Sequence, residues 1–393
     1  MKYVGIDLHK KTGVICIVNK ERKVLQRHKF SNSDMAGIAQ FFRELGPFEF
    51  AVEASGSYEW LVNLLAPLAQ SWVLVNPSKF LLIAKTTKKT DRHDAQQLAE
   101  FLALGMLPKA YYPSPKEREH RQLARYRVQC RRRVNQLVCR IRQVATRYNA
   151  DCADLLKSKV MEEFQKRSDL SDADRFVLKH LVNEHRHAEE VLEVALVELR
   201  CFAGADTATR QREREILQTA PGVGTIISDV VLAELGNVQR FNSLKDVSAY
   251  AGLVPKLDES GDKSKQLNIT KAGSKLLRWA MVQAAWQAIH RSVRWSTVYE
   301  GIKKRRGGKR AVIAVARRLL GVLVSMLKND QEYLFSLAEL KQQEAQDEAR
   351  QQKRKAKAAQ KESPPEVSAE PSETTPAKKK TSRKRRAETT VLA

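Results

Sequence analysis

Three apolar or alternating runs open the chain: residues 2–8 (KYVGIDL), 12–18 (TGVICIV) and 23–30 (KVLQRHKF), joined by polar turns of a few residues. Turns this short cannot carry a crossover, so the spacing predicts three sequential antiparallel strands. Helical periodicity then runs over residues 33–45, with Ser33 of the right type for an N-cap. Residues 48–54 (FEFAVEA) read as a fourth strand, 58–69 as a helix and 72–75 (WVLV) as a fifth strand. A helix over 91–104 ends at Gly105. The order β-β-β-α-β-α-β-α predicts a mixed-sheet α/β domain over residues 1–110, and several mixed α/β folds share that order.

From residue 116 to 148 the pattern changes. Cys130, Val134, Leu137, Ile141, Val144 and Tyr148 alternate steps of four and three, the seam of a coiled coil, a helical hairpin or a bundle helix. The same stretch holds eleven Lys and Arg against two acids. A Glu-richer stretch over 172–202 reads as a returning helix, making 111–205 a helical arm. Residues 206–335 read as a mainly helical C-terminal domain, with a helix over 274–290 and a basic loop over 303–310. Residues 336–393, first Gln/Lys/Ala-rich and then Pro/Ser/Glu/Thr-rich, have the composition of a disordered basic tail.

The net charge of +25 over 393 residues says where partners lie. Residues 341–393 contribute 14 Lys and Arg against 8 acids, so +6 belongs to the tail and +19 to the rest. Most of the basic charge thus belongs to the body, as expected of a protein that neutralises many phosphates, so nucleic acid is the expected partner. No basic amphipathic anchor or lipidation motif supports a membrane surface, and the longest mostly apolar stretch, 319–327, is too short to span a bilayer. With no secretory h-region after Met1, a cytoplasmic, nucleoid-associated protein is expected. Five cysteines without a Cys-x-x-Cys pair argue against a disulfide framework or zinc site, and His180, His185 and His187 read as a solvated helix face.

Three sets of residues can carry chemistry. Asp7 interrupts the first strand, Glu53 stands near the end of the fourth, and Asp91 and Asp94, three apart, share one face of a helix start. Taken singly, Asp91 can be an N-cap, Asp94 a favourable first-turn charge and Glu53 a solvated strand end. Together, four hard-oxygen ligands suit Mg²⁺ or Mn²⁺ in phosphodiester chemistry. The second set is Pro221-Gly222-Val223-Gly224 between two helical patterns. It reads equally as a phosphate-gripping turn of the helix-hairpin-helix kind, through Gly222 and Gly224, or as a plain helix-helix turn. The third is Ser260 before Gly261, on a flexible loop flanked by Lys256, Lys263, Lys265 and Lys271.

Taken in order, these motifs resemble a known family. Gly5-Ile6-Asp7-Leu8-His9-Lys10, Glu53-Ala54-Ser55-Gly56 and Lys89-Thr90-Asp91-Arg92-His93-Asp94-Ala95 look like the acidic motifs of the DEDD transposases. Ala220 to Gly224, Tyr250 to Pro255, Ser260-Gly261-Asp262-Lys263, Ile269 to Gly273 and Leu277-Arg278 look like the family's C-terminal domain. The chain is thereby similar, over about residues 2–330, to the insertion-sequence-one-hundred-and-ten family, to which pilin-gene invertases are related. The resemblance implies a ribonuclease-H/RuvC-like domain whose acidic set is Asp7, Glu53, Asp91 and Asp94, with Mg²⁺ or Mn²⁺. It implies that Ser260 is a nucleophile; many relatives have two serines there, whereas here Glu259 precedes. It also implies a phosphoserine link to DNA, coupling of the two sites across subunits and a structured guide RNA. The expectation is a transposase acting on element ends and target DNA as a homo-oligomer. Arg121, Arg125, Arg131, Arg132, Arg133, Arg140 and Arg142, with Gly222, Gly224, Lys263 and Lys271, would hold nucleic acid. Alternatives are a RuvC-like structure-specific nuclease, a site-specific invertase, or a non-catalytic nucleic-acid-binding protein that tolerates loss of the carboxylates.

Overall fold

The structure is a computed structural model. It describes residues 1–393 except Ser55, Ser57, 84–90, Gly261, Asp262, 336–340 and 342–393, and excludes the side chains of 82, 83, 91, 92, 257–260 and 263–267. The predicted tail therefore lies outside the described residues, apart from Lys341. The chain divides into two compact units, one of residues 1–214 with 225–242, the other of 215–224 with the residues from 243 onward.

The first unit is built on a five-stranded sheet of order β3-β2-β1-β4-β5, from β1 (Lys2–Leu8), β2 (Thr12–Val18), β3 (Val24–Ser31), β4 (Phe48–Glu53) and β5 (Ser71–Val75). β1, β2 and β3 pair antiparallel as their short turns predict, while β4 joins β1 and β5 joins β4 in parallel. Alternation sorts each strand between two layers. Val4, Ile6, Phe48, Phe50 and Val52 point to one face, where they pack with α1 (Met35–Glu44) and α2 (Glu59–Leu65) through Phe42, Leu61 and Leu65. Each such fully buried side chain contributes about 1.5–3 kcal/mol. The opposite face takes α3 (Pro77–Ile83) and α4 (Asp91–Ala103), through Phe80, Leu98, Ala95 and Ala99.

Local details depart from the sequence reading where tertiary context decides. Asp34, not Ser33, caps α1, its carboxylate accepting from the Gly37 amide at 2.9 Å. The helix expected over 58–69 stops at Leu65, and α3, which had no periodic signature of its own, starts at Pro77, where the ring's fixed φ suits a first helical residue.

The expected arm is a helical hairpin. α5 (Pro115–Arg147) and α7 (Asp172–Gly204) are each 33 residues long, about 50 Å, with α6 (Ser158–Gln165) between them in sequence. The predicted seam of Cys130, Val134, Leu137, Ile141 and Val144 is its core, packed with Leu178, Leu181, Leu192 and Ala195, and with Tyr148 at its edge. α8 (Ala208–Thr219) and α9 (Thr225–Leu235) follow, then a short turn of helix at Val238–Arg240.

The second unit contains α10 (Leu244–Tyr250), a two-stranded hairpin of β6 (Pro255–Ser260) and β7 (Lys263–Ile269), and α11 (Lys275–Arg291), α12 (Val293–Arg306) and α13 (Gly308–Asn329). The apolar stretch 319–327 lies in α13, whose buried residues run from Ala311 to Leu327. The expected basic loop over 303–310 is helix on both sides of Gly307, whose φ of +79° makes the break. Lysine and arginine propagate a helix well, and four of them in the last turn of α12 favour its negative end. Among the described residues no helix is long and apolar enough to cross a membrane.

Candidate functional site

Asp7 and Glu53 come together because β1 and β4 are parallel neighbours. They follow the last paired residues, Ile6 and Val52, by one step. Adjacent strands place their Cα atoms about 5 Å apart, and the shared parity turns both side chains away from the Ile6/Val52 core, toward the α4 face. Gly5 brings α4 onto that face: a Cβ there would sit 2.0 Å from the Ala95 carbonyl oxygen and 2.4 Å from the Ala99 amide. Tyr3, two residues earlier, packs with the cluster holding Leu98 and Leu102. α4 therefore runs antiparallel to β1, and its first turn, with Asp91 and Asp94, starts at the end of the sheet where Asp7 and Glu53 stand.

The Asp7 side chain is 16% exposed, enough to reach solvent from a rigid strand. The Asp91 side chain lies outside the described residues. Among the described residues, no three His, Cys, Asp or Glu side chains are gathered as a metal-holding set. The donors themselves fit a hard divalent cation: all four are carboxylates, on two strand ends and one helical turn, without a thiolate or imidazole among them.

Sequence reasoning overlooked His9. Its Nε2 lies 3.3 Å from Asp7 Oδ2. Its backbone is clamped, the His9 amide donating to the Thr12 carbonyl at 2.9 Å and the Asn32 side chain donating to the His9 carbonyl at 2.9 Å. The signal was the residue's place two positions beyond an acid at a strand end.

Ser260 is the last residue of β6, paired in register with Lys263. The loop expected around Ser260 is replaced by an antiparallel pair of strands, β6 and β7, while Gly261 and Asp262 lie outside the described residues. The side chains of Ser260 and Lys263 lie outside the described residues. Lys271 is exposed, at a φ of +54°, in a turn beside that of Tyr250–Gly252. The Ser274 amide donates to the Tyr250 carbonyl at 3.2 Å and Arg278 donates to that of Ala251 at 3.0 Å. Gly222, φ +86°, is pressed against α11, where a Cβ would lie 2.5 Å from the Ala284 carbonyl oxygen. That packing accounts for Gly222 without a ligand, whereas a side chain at Gly224 would meet open space.

The arginines of α5 divide into two groups. Arg121 donates to the carbonyls of Ala233 and Glu234 at 3.0 and 3.3 Å, closing the C-terminal end of α9. Arg125 forks onto the Glu234 carboxylate at 2.7 and 3.0 Å, and Glu234 is buried. Arg142 reaches Asp151. These three are tied within the chain. Arg131, Arg132, Arg133 and Arg140 are exposed, and a groove of about 360 Å³ beside α5 is lined by Arg132, Arg133, Arg140, Gln129, Gln136 and Glu184. Burial and the neighbouring Arg131 push the Arg127 guanidinium down from its usual pKa, and its buried Nε has no hydrogen-bond partner among the described residues. Asp229 and Glu234 were the overlooked anchors, visible as two acids inside the apolar run of α9; Asp229 also pairs with Arg214 at 2.9 Å and His120 at 3.3 Å.

Comparison with known proteins finds matches over most of this framework. Residues 4–150 fit the sequence profile of DEDD transposases of the IS110 type, and residues 214–300 fit that of the "Transposase IS116/IS110/IS902 family". The chain is 23% identical over 346 residues to the transposase for insertion sequence element IS1111A of Coxiella burnetii, covering 85% of this chain and 91% of the relative. It is 26% identical over 294 residues to the transposase for IS1328 of Yersinia enterocolitica, covering 72% and 82%. It is also 25% identical over 346 residues to the pilin gene-inverting protein of Moraxella bovis, covering 84% and 97%.

Proposed function

The chain belongs to the IS110 family of transposases, enzymes that cleave and transfer DNA strands, and from that premise we propose that it mobilises an insertion sequence with two chemical tools. The first is a RuvC-like acidic site in which Asp7, Glu53, Asp91 and Asp94 hold Mg²⁺ or Mn²⁺. Bound there, such a cation offers charge stabilisation to a phosphodiester under attack. The observation that carries this reading is the common position of Asp7, Glu53 and the first turn of α4, on one face and at one end of the sheet. Rigid strand ends keep the carboxylates in place, and the basic body brings phosphates to them.

The second tool is Ser260. Its Oγ bonds to phosphorus as one phosphate ester bond breaks, and the departing sugar oxygen takes up a proton. Attack by another strand's hydroxyl restores a phosphodiester and releases the serine, so rejoining needs no external energy source. The exposed arginines 131, 132, 133 and 140, with Lys263 and Lys271, hold the backbone of DNA or of a structured guide RNA. Joining two DNA ends calls for at least two subunits.

The test is a plasmid carrying the element ends and a target, incubated with full-length protein and Mg²⁺. Asp7→Ala or Asp94→Ala is expected to abolish recombination with folding intact, and wild-type rates in either would remove the metal-site assignment. A denaturation-resistant protein–DNA adduct should form with wild type and vanish in Ser260→Ala; an active wild type with no adduct contradicts the serine step. A metal-only nuclease would cut equally well without Ser260. The likeness to a pilin gene-inverting protein favours a second reading, inversion between sites in one molecule. Substrates with sites in opposite orientations distinguish the two.

A further inference from the structure

We infer that His9 is a positioning residue for the acidic site: its ring fixes the Asp7 carboxylate in the orientation in which that carboxylate meets the cation. This role rests on the metal reading proposed above. Three observations carry it. The first is the 3.3 Å contact between His9 Nε2 and Asp7 Oδ2. A carboxylate only accepts, so the ring supports it when the hydrogen sits on the nitrogen that faces it. The second is the mount. His9 begins the turn between β1 and β2, and that turn is tied on both sides. The His9 amide donates to Thr12, the Asn32 side chain donates to the His9 carbonyl, and the Asn32 amide donates to the Lys11 carbonyl at 2.9 Å. A turn held this way presents its ring from a fixed origin, which an orienting contact requires. The third is cost. The His9 side chain is 46% exposed, so the ring lies over Asp7 without a hydrophobic core holding it there. Partners of a ligating carboxylate tune metal affinity and activity in this way, typically by 10–100-fold.

The experiment measures Mn²⁺ binding to the full-length protein by calorimetry, without nucleic acid, alongside the Mg²⁺ dependence of recombination. His9→Ala is expected to weaken Mn²⁺ binding by about 10-fold and to raise the half-saturating Mg²⁺ concentration similarly. The rate at saturating Mg²⁺ should fall far less. His9→Gln, whose amide can donate from nearly the same place, should recover most of the affinity. Asp7→Ala marks the loss expected when the ligand itself is gone. Wild-type protein that binds Mn²⁺ with His9→Ala binding it equally overturns the His9 role alone. A rate loss in His9→Ala at unchanged Mn²⁺ affinity does the same, since the ring would then act elsewhere. Wild-type protein that binds no Mn²⁺ overturns the metal reading and the His9 role with it. Unchanged thermal melting in both variants excludes misfolding as the cause of any loss.

Discussion

Two arginines seven residues apart on one helix illustrate how a residue's surroundings set its role. Arg125 satisfies the buried Glu234 carboxylate, whereas Arg132 lines an open groove. Removing Arg125 leaves a buried charge without its fork, so Arg125→Ala is expected to cost about 3 kcal/mol and lower the melting temperature. Arg132→Ala should leave melting nearly unchanged, weaken DNA binding and reduce the slope of log K against log salt by about 1. Denaturation and salt-titrated binding on both variants check the pair. Composition could not separate them, because Glu234 lies more than a hundred residues away in sequence. Glu117 gives a pH-dependent case. Burial pushes its carboxyl up, but hydrogen bonds from Tyr111 and Ser114 and the charge of Arg210 outweigh that and hold it below the usual range. A depressed carboxyl pKa stabilises the fold above the unfolded value, and that stability disappears as pH falls through the folded one. Wild type should therefore exceed Glu117→Gln by roughly 1 kcal/mol at pH 6, with the difference shrinking below about pH 4. A constant difference across that range would contradict it.

At the scale of elements, what local periodicity encodes was readable and what distant packing decides was not. The five strands, the seam of α5 and the returning α7 follow from apolar spacing, and Asp7 and Glu53 stand out as acids interrupting or ending strands. The β6–β7 hairpin and the helical 303–310 segment do not follow from the sequence, because flanking lysines obscure a weak alternation in one and a run of basic residues reads as a loop in the other. Gly5 looked like an ordinary strand residue, yet it sets the distance between β1 and α4. Gly5→Ala would place a methyl 2.0 Å from a backbone oxygen, so α4 must move. A loss of about 3 kcal/mol is expected, and recombination should fall beyond what the stability loss explains, since Asp91 and Asp94 ride on that helix. A variant with wild-type stability and activity would show that the β1–α4 contact does not position the site.

For the whole molecule, the +25 charge is unevenly distributed. The arm segment 116–148 alone carries eleven basic residues against two acids. Replacing Arg131, Arg132, Arg133 and Arg140 together should reduce the salt slope of DNA binding by about 4. Removing residues 341–393, whose 14 basic residues are offset by 8 acids, should change it less; the reverse ranking would move the nucleic-acid surface to the tail. On the function proposed above, DNA strands are cut at the end of the sheet that bears Asp7, Glu53 and the α4 first turn. The most direct test is strand cleavage on element-end DNA by Asp7→Asn, which keeps the shape of the side chain and removes its charge. A loss of about a thousandfold or more is expected, the scale of removing a main electrostatic group from an active site, with unchanged melting. Cleavage at the wild-type rate by a folded Asp7→Asn protein would contradict it.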